Sequence, residues 1–151
     1  MAKGEKTIVT NRKARFEYAI EDELEAGISL LGTEVKSLRD GKANLQEAYC
    51  EFKGQSLFLR HLHIAPYAFG SYNNHDEVRP RQLLMHRAEL DKWSKAVSQK
   101  GYTIVPLRVY FKEGKCKVRI GLGKGKKLHD KRQAIAERDS KRRIDRETAR
   151  R

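Results

Sequence analysis

Two cysteines in 151 residues, Cys50 and Cys116, are too few and too far apart in sequence for a disulfide framework or a paired-cysteine metal site. They fit a reducing compartment. No apolar run approaches the roughly 18 residues that a spanning helix needs. The N-terminal MAKGEKTIVTNRKARF has neither the apolar centre nor the cleavage site of a secretory signal. A soluble, cytoplasmic protein is expected, with no membrane partner. Apolar residues are also short, at 38% against 35% charged. Acids are outnumbered: 33 Lys and Arg face 20 Asp and Glu, a formal charge of +13. Charge of that sign and size implies a polyanionic partner, most simply nucleic acid. Catalytic constellations are missing too. No Ser-His-Asp or Cys-His arrangement has a supporting context, and no paired carboxylates mark a cleft. An enzyme is the weak reading, and no cofactor is expected.

The shortage of apolar residues is uneven. Residues 124–151 hold twelve Lys or Arg against five acids, which is +7 of the +13. Residues 1–123 hold most of the apolar residues. The chain divides into a loose basic arm over 1–13, a globular body over 14–123 and a basic tail over 124–151.

Within the body, Phe16, Tyr18 and Ile20 alternate with Glu17, Ala19 and Glu21, the period of a strand. GTEVKSLRDGK reads as a short helix with Thr33 as its N-cap and Gly41 as its stop. AYCEFKGQSLFLRHLHI reads as two strands around Lys53-Gly54-Gln55. PYAFGSYNNHDEVRP (66–80) has loop composition and a length that suggests a functional loop, in which Tyr67, Phe69 and Tyr72 could stack on bases or pin the loop to the body. LLMHRAELDKWSKAVSQKG is a helix with Leu90, Trp93 and Val97 on one face, stopped by Gly101. The hairpin in YTIVPLRVYFKEGKCKVRIGLG turns at Glu113-Gly114. Its alternation sends Val105, Leu107, Val109 and Phe111 one way and Arg108 and Tyr110 the other. On the return strand Cys116, Val118 and Ile120 face inward and Lys117 and Arg119 outward. Arg108, Lys117 and Arg119 therefore form a basic stripe on a sheet. The fold class expected is mainly β: a small closed antiparallel barrel, which hides its edges, with two or three short helices and a basic C-terminal tail.

GLGKGKKLHDKR (121–132) follows the hairpin. It is not a P-loop, because Ile120 stands where the first glycine belongs and Lys127 where Ser or Thr would hold magnesium. It is not a dinucleotide fingerprint, because the spacing is G-x-G-x-G and it leaves an antiparallel hairpin. The remaining reading is a flexible exit into the tail. Past Leu128 only Ile135 and Ile144 are large and apolar, so the free tail is expected to be largely disordered. Glu137 with Lys141, Asp139 with Arg143 and Glu147 with Arg151 are acid-then-base pairs at i, i+4, poised for a helix when RNA neutralises the tail. His61-x-His63 lacks a third ligand and is not expected to bind metal.

NRKARFEY (11–18), EAGISLLGTEVKSLRDGKANL (25–45), RQLLMHRAELDKW (81–93) and CKVRIGLGKGKKLHDKR (116–132), together with the basic tail, resemble the SmpB family, the protein partners of tmRNA in bacterial trans-translation. The resemblance runs over most of the chain in order. It implies an oligonucleotide-binding (OB) barrel that binds the tRNA-like domain of tmRNA. It implies delivery, with elongation factor Tu and alanyl-tmRNA, to a ribosome stalled on a truncated message. The tail would enter the empty mRNA channel, fold there as a helix and report that no message is present.

Residue by residue, the resemblance implies tmRNA contacts by Asn11, Glu25, Leu84 and Lys117, and Lys117 also lies in the basic stripe with Arg108 and Arg119. Without the resemblance, Glu25 would read as a solvated acid and Leu84 as core. The decoding-centre histidine falls on His129, where an imidazole can stack on a base, with Asp130, Lys131 and Arg132 completing the motif. Lys124, Lys126, Lys127, Arg138, Lys141, Arg142 and Arg143 supply the charge for small-subunit rRNA at the decoding centre and mRNA channel. Two positions depart from the family pattern: His86 where asparagine is frequent, and Phe16 where histidine is. A structural ribosomal protein and a nonspecific single-strand binder are the rivals. Body and charge fit a ribosomal protein as well, but GKGKKLHDKR does not, and a nonspecific binder would have an affinity insensitive to RNA shape.

Overall fold

Val109 pairs with Val118 and Phe111 with Cys116 across the hairpin that organises the molecule, formed by β8 (Thr103–Lys112) and β9 (Lys115–Gly125). Glu113 and Gly114 turn it with φ of 52° and 81°, the two left-handed residues of a tight hairpin turn. The computed structural model describes residues 5–68 and 74–126. Preceding the hairpin are β1 (Glu5–Thr10), α1 (Ala14–Glu17), β2 (Tyr18–Ile28), α2 (Gly32–Arg39), β3 (Ala43–Asn44), β4 (Tyr49–Lys53), β5 (Ser56–Arg60), β6 (His63–Ile64), β7 (Arg81–Leu84) and α3 (Arg87–Lys100). The fold is mainly β, with three helices among the described residues.

Strand order in the large sheet is β1-β8-β4-β5-β7-β2-β9, and β9 pairs back onto β8. The pairing therefore returns on itself, but unevenly. β2–β9 and β8–β9 are long ladders, whereas β4 meets β8 only at Cys50 and Ile104. Leu57, Leu59, Leu83, Val109, Val118 and Ile120 fill the inside, and Trp93 of α3 closes one side of it. The Trp93 indole donates to the Asp22 carboxylate at 3.2 Å, which satisfies its buried N–H.

Several expectations are corrected. The segment expected to be a loose arm carries β1, which pairs with β8 from Glu5 opposite Lys112 to Thr10 opposite Arg108. Its β-branched Thr7, Ile8 and Val9 suit a strand once β8 offers an edge. Phe16 lies in α1, not in a strand, because Ala14 is buried against Val105 and Leu107 and turns the chain there. β2 then runs unbroken through Gly27. Thr33 does not cap α2. Leu31 holds the N-cap position, its N–H donating to the Glu34 carboxylate at 2.7 Å, while the Thr33 hydroxyl bonds His75 Nδ1 at 2.9 Å. The helix expected from Leu83 starts only at Arg87, and Arg81–Leu84 form β7 between β5 and β2. Gly101 ends α3 with φ 70°, as expected.

The GLGKG segment is no flexible exit. Gly121, Gly123 and Gly125 lie within β9, and none has the left-handed φ found at Gly41, Gly54, Gly101 and Gly114. The missing side chains make room instead. A Cβ on Gly123 would lie 2.4 Å from the Ala19 carbonyl oxygen, and one on Gly121 would lie 3.0 Å from the Ile20 side chain. β2 and β9 approach closely where β2 bulges between Ile20 and Asp22.

The 66–80 loop is tied down at both described ends. Asn74 Nδ2 donates to the Tyr67 carbonyl at 2.9 Å, and buried His75 bonds the Ile64 carbonyl at 2.9 Å. Lys36 sits 5.4 Å from the Tyr67 ring. Phe69 and Tyr72 lie outside the described residues. His61 and His63 line one shallow groove but are engaged by different partners. His61 has φ 60° and stacks on Tyr49 at 5.4 Å, whereas His63 pairs with Glu77 at 2.8 Å.

Candidate nucleic-acid interface

Paired residues of antiparallel strands share a face, so the register shows what the outside of β1, β8, β9, β2 and β7 presents. Glu5 lies opposite Lys112 and Thr7 opposite Tyr110. Arg108 lies opposite Arg119 and Tyr110 opposite Lys117. Glu25 lies opposite Arg119, Gly27 opposite Lys117, and Leu84 opposite Gly27. Arg108, Lys117, Arg119, Glu25 and Leu84 therefore occupy one continuous surface. A bulge between Pro106 and Arg108 resets the alternation of β8 and keeps Arg108 on it.

Asn11 borders the same surface. Its amide donates to the Pro106 carbonyl at 3.0 Å and its N–H to the Leu107 carbonyl at 2.8 Å. With Arg12, Arg15, Glu23, Arg108 and Arg119 it lines a shallow groove. Arg12 and Arg15 were not singled out from sequence, although NRKAR places them beside Asn11.

Leu84 is 54% exposed while Leu83 is buried, which rules out the core reading of Leu84. Gly27 makes this placement possible. A Cβ there would stand 3.3 Å from Leu84 Cβ, so the leucine lies across a strand with no side chain beneath it. The result is an apolar spot at the end of a charged face.

The cations differ in availability. Arg108 is engaged within the protein: its guanidinium donates to Glu5 at 3.0 Å and to Thr7 at 3.2 Å, and lies 4.0 Å from the Tyr110 ring centroid. Arg119 stands 3.5 Å from Glu23, which Arg15 also reaches at 3.0 Å. Lys117 makes no ion pair among the described residues. Glu25 accepts from the Tyr110 hydroxyl and lies 3.6 Å from Lys112. The Tyr110 bond, helped by Lys112 and Lys117 and opposed by burial, holds the Glu25 carboxyl below its ordinary pKa. A carboxylate that stays ionised on this face can only accept hydrogen bonds, which suits base amines or ribose hydroxyls and repels phosphate.

Lys124 lies toward the far end of β9, about 23 Å along the strand from Lys117, and Lys126 follows just past its end. Lys124 covers the Tyr102 ring at 4.7 Å, and the Lys126 N–H donates to the Glu17 carbonyl at 2.8 Å. Lys127, His129, Asp130, Lys131, Arg132, Arg138, Lys141, Arg142 and Arg143 lie outside the described residues. His86 occupies the N-cap position of α3, where its N–H donates to Glu89 at 3.3 Å and its imidazole makes no capping bond.

Residues 8–150 match the family model described as SmpB protein. The chain belongs to the SmpB family. Its relatives in that family include SsrA-binding proteins of Alkaliphilus metalliredigens, 50% identical over 99% of this chain and 95% of the relative, and of Syntrophotalea carbinolica, 53% identical over 97% and 95%. A solved structure described as "tmRNA-SmpB: a journey to the center of the bacterial ribosome" superposes with a TM-score of 0.67 at 47% identity, covering 84% of this chain and 93% of that one. Membership covers both the face described above and the span that contains GKGKKLHDKR. Among the described residues no helix is long and apolar enough to cross a membrane.

Proposed function

We propose that this chain is a tmRNA-binding adaptor of trans-translation, with an OB-like body that binds the tRNA-like domain and a basic tail that reads the ribosome. The observation that carries this reading is the outer face of β9, β2 and β7. It brings Glu25, Lys117, Arg119 and Leu84 together from three separate stretches of sequence, with Asn11 at its border. Such a surface combines phosphate contacts from Lys and Arg, a hydrogen-bond acceptor for base or ribose donors, and an apolar contact for an exposed base or sugar. The SsrA-binding relatives, matched over nearly their whole length, support the same partner. The protein makes and breaks no bonds. It positions an RNA that carries the alanyl group.

In this reading residues 14–123 act as the body, with β1 of the 1–13 arm paired onto it, and residues 124–151 act as the tail that leaves from the end of β9. The body, with elongation factor Tu and alanyl-tmRNA, enters a ribosome stalled on a truncated message in the cytoplasm. His129 stacks at the decoding centre, and the cations from Lys131 to Arg143 lie along small-subunit rRNA in the vacant mRNA channel. The acid-then-base pairs support a helix there. Peptide transfer to the tmRNA alanine follows, and the product is tagged for degradation.

The test is a gel-shift titration against the isolated tRNA-like domain, with an ordinary tRNA of equal length as competitor at physiological salt. Preference for the tmRNA fragment is expected. Equal binding to both would leave charge as the sole attraction and favour a ribosomal protein or a nonspecific binder.

A further inference from the structure

Tyr110 lies on the outer face of the sheet, opposite Lys117, yet it is only 1% exposed. Two neighbours on that face cover it. Arg108 lies over its ring with the guanidinium carbon 4.0 Å from the centroid, and Glu25 receives its hydroxyl. The residue therefore joins two charged groups of opposite sign at the centre of the proposed RNA surface. We infer that Tyr110 is a positioning residue for RNA recognition: its hydroxyl fixes the Glu25 carboxylate as a hydrogen-bond acceptor for base or ribose donors, and its ring holds Arg108 away from that carboxylate. This rests on the RNA-binding reading given above.

The geometry accounts for an acid on a phosphate-binding face. A free glutamate there would rotate among its rotamers and fold onto Arg119, its partner in the ladder, or onto Lys117 two residues along the same face. Instead both neighbours in reach bind the same oxygen: Tyr110 donates to Oε2, and Lys112 Nζ lies 3.6 Å from it. None of the described residues bonds Oε1. The second oxygen is thus left for an incoming N–H or 2′-hydroxyl, while Lys117 and Arg119 beside it can take the adjoining phosphates. Arg108 cannot compete, because Glu5 and Thr7 hold its donors and the Tyr110 ring holds its face. The site selects a nucleotide that presents a donor edge within phosphate reach of two cations, a condition that uniform charge does not impose.

Tyr110→Phe keeps the ring and removes the donor. Binding of the isolated tRNA-like domain should fall about five- to tenfold, the scale of one ordinary net hydrogen bond, since the lost bond acts on the RNA only through Glu25. Glu25→Gln should lose a similar factor, and the double variant should bind no worse than the weaker single variant, since Tyr110 acts through Glu25. A readout independent of RNA is the Glu25 carboxyl carbon followed by NMR titration of the free protein. The charged and titratable groups facing it are Arg108, Tyr110 and Lys112 on β8, Lys117 and Arg119 on β9, and Glu23 on its own strand. In the unmutated protein Glu25 should titrate below the ordinary range of a glutamate, and Tyr110→Phe should move it upward. Unchanged RNA affinity in Tyr110→Phe, or losses that multiply in the double variant, would overturn the inference. So would an ordinary Glu25 titration in the unmutated protein, which needs no variant to fold. Failure of the RNA-binding reading is recognised separately, as an unmutated protein that does not prefer the tmRNA fragment.

Discussion

Glu34 and Arg81 are both fully buried, and their ion pair joins α2 to β7. Arg81 also donates to the Leu62 carbonyl, and Arg79 reaches the other Glu34 oxygen. Burial alone would raise the Glu34 pKa. Hydrogen bonds from Arg79, the Leu31 amide and Arg81 outweigh it and hold the carboxyl below its ordinary value. A depressed folded pKa contributes stability that is present above the unfolded value of 4.5 and is lost as pH falls through the folded one. Glu34→Gln leaves Arg81 buried and under-compensated, so urea denaturation at neutral pH should show a loss of about 3–5 kcal/mol. The variant's stability should also fall less steeply with acid below that value than the unmutated protein's does. Lys117 belongs to the same scale with the opposite consequence. It is free of ion pairs among the described residues, so Lys117→Ala should leave folding intact and weaken tmRNA-fragment binding. The slope of log affinity against log salt should flatten by about one unit. An unchanged slope would remove Lys117 from the interface.

At the scale of elements, β9 shows where sequence pattern sufficed and where it did not. The alternation of Cys116, Val118 and Ile120 with Lys117 and Arg119 was legible because each residue type matched its face. The same strand's last turnless stretch, GLGKG, was not. Glycine is ambiguous between flexibility and close packing, and only the partner strand decides. Here that partner is Ala19, whose carbonyl occupies the space a Cβ would need at Gly123. Gly123→Ala should therefore cost about 1–3 kcal/mol in chemical denaturation, the usual scale of overpacking. A flexible linker would tolerate the change with no loss. β7 was hidden for a related reason. Two consecutive leucines carry no period, and α3 follows directly, so helix and strand could not be told apart until pairing with β2 and β5 was seen. That merger also obscured Leu84. Its exposure follows from strand alternation, which sends Leu83 inward and Leu84 out beside Gly27. Tyr110 was placed on the correct face by alternation, but its burial beneath Arg108 and its bond to Glu25 depend on contacts across three strands.

For the whole molecule, charge asymmetry was the most legible feature, since it needs only residue types: twelve of the 33 Lys and Arg fall in residues 124–151. The proposed recognition face, by contrast, is assembled from residues 11, 25, 84, 117 and 119, and apart from the alternation that pairs 117 with 119 no local pattern links them. It lies well down β9 from Lys124, so in the proposed function the RNA-binding face of the body and the start of the ribosome-reading tail sit at different ends of one strand. That separation predicts separable losses. Deletion of residues 130–151 removes nine Lys or Arg and none of the face. The truncated protein should retain its preference for the tRNA-like domain over ordinary tRNA, with at most a uniform loss from the missing charge. Peptide transfer to alanyl-tmRNA on ribosomes stalled without a codon should be abolished. A collapse of fragment preference on truncation would place part of the recognition surface in the tail. Undiminished transfer would show that the body alone reports the empty channel.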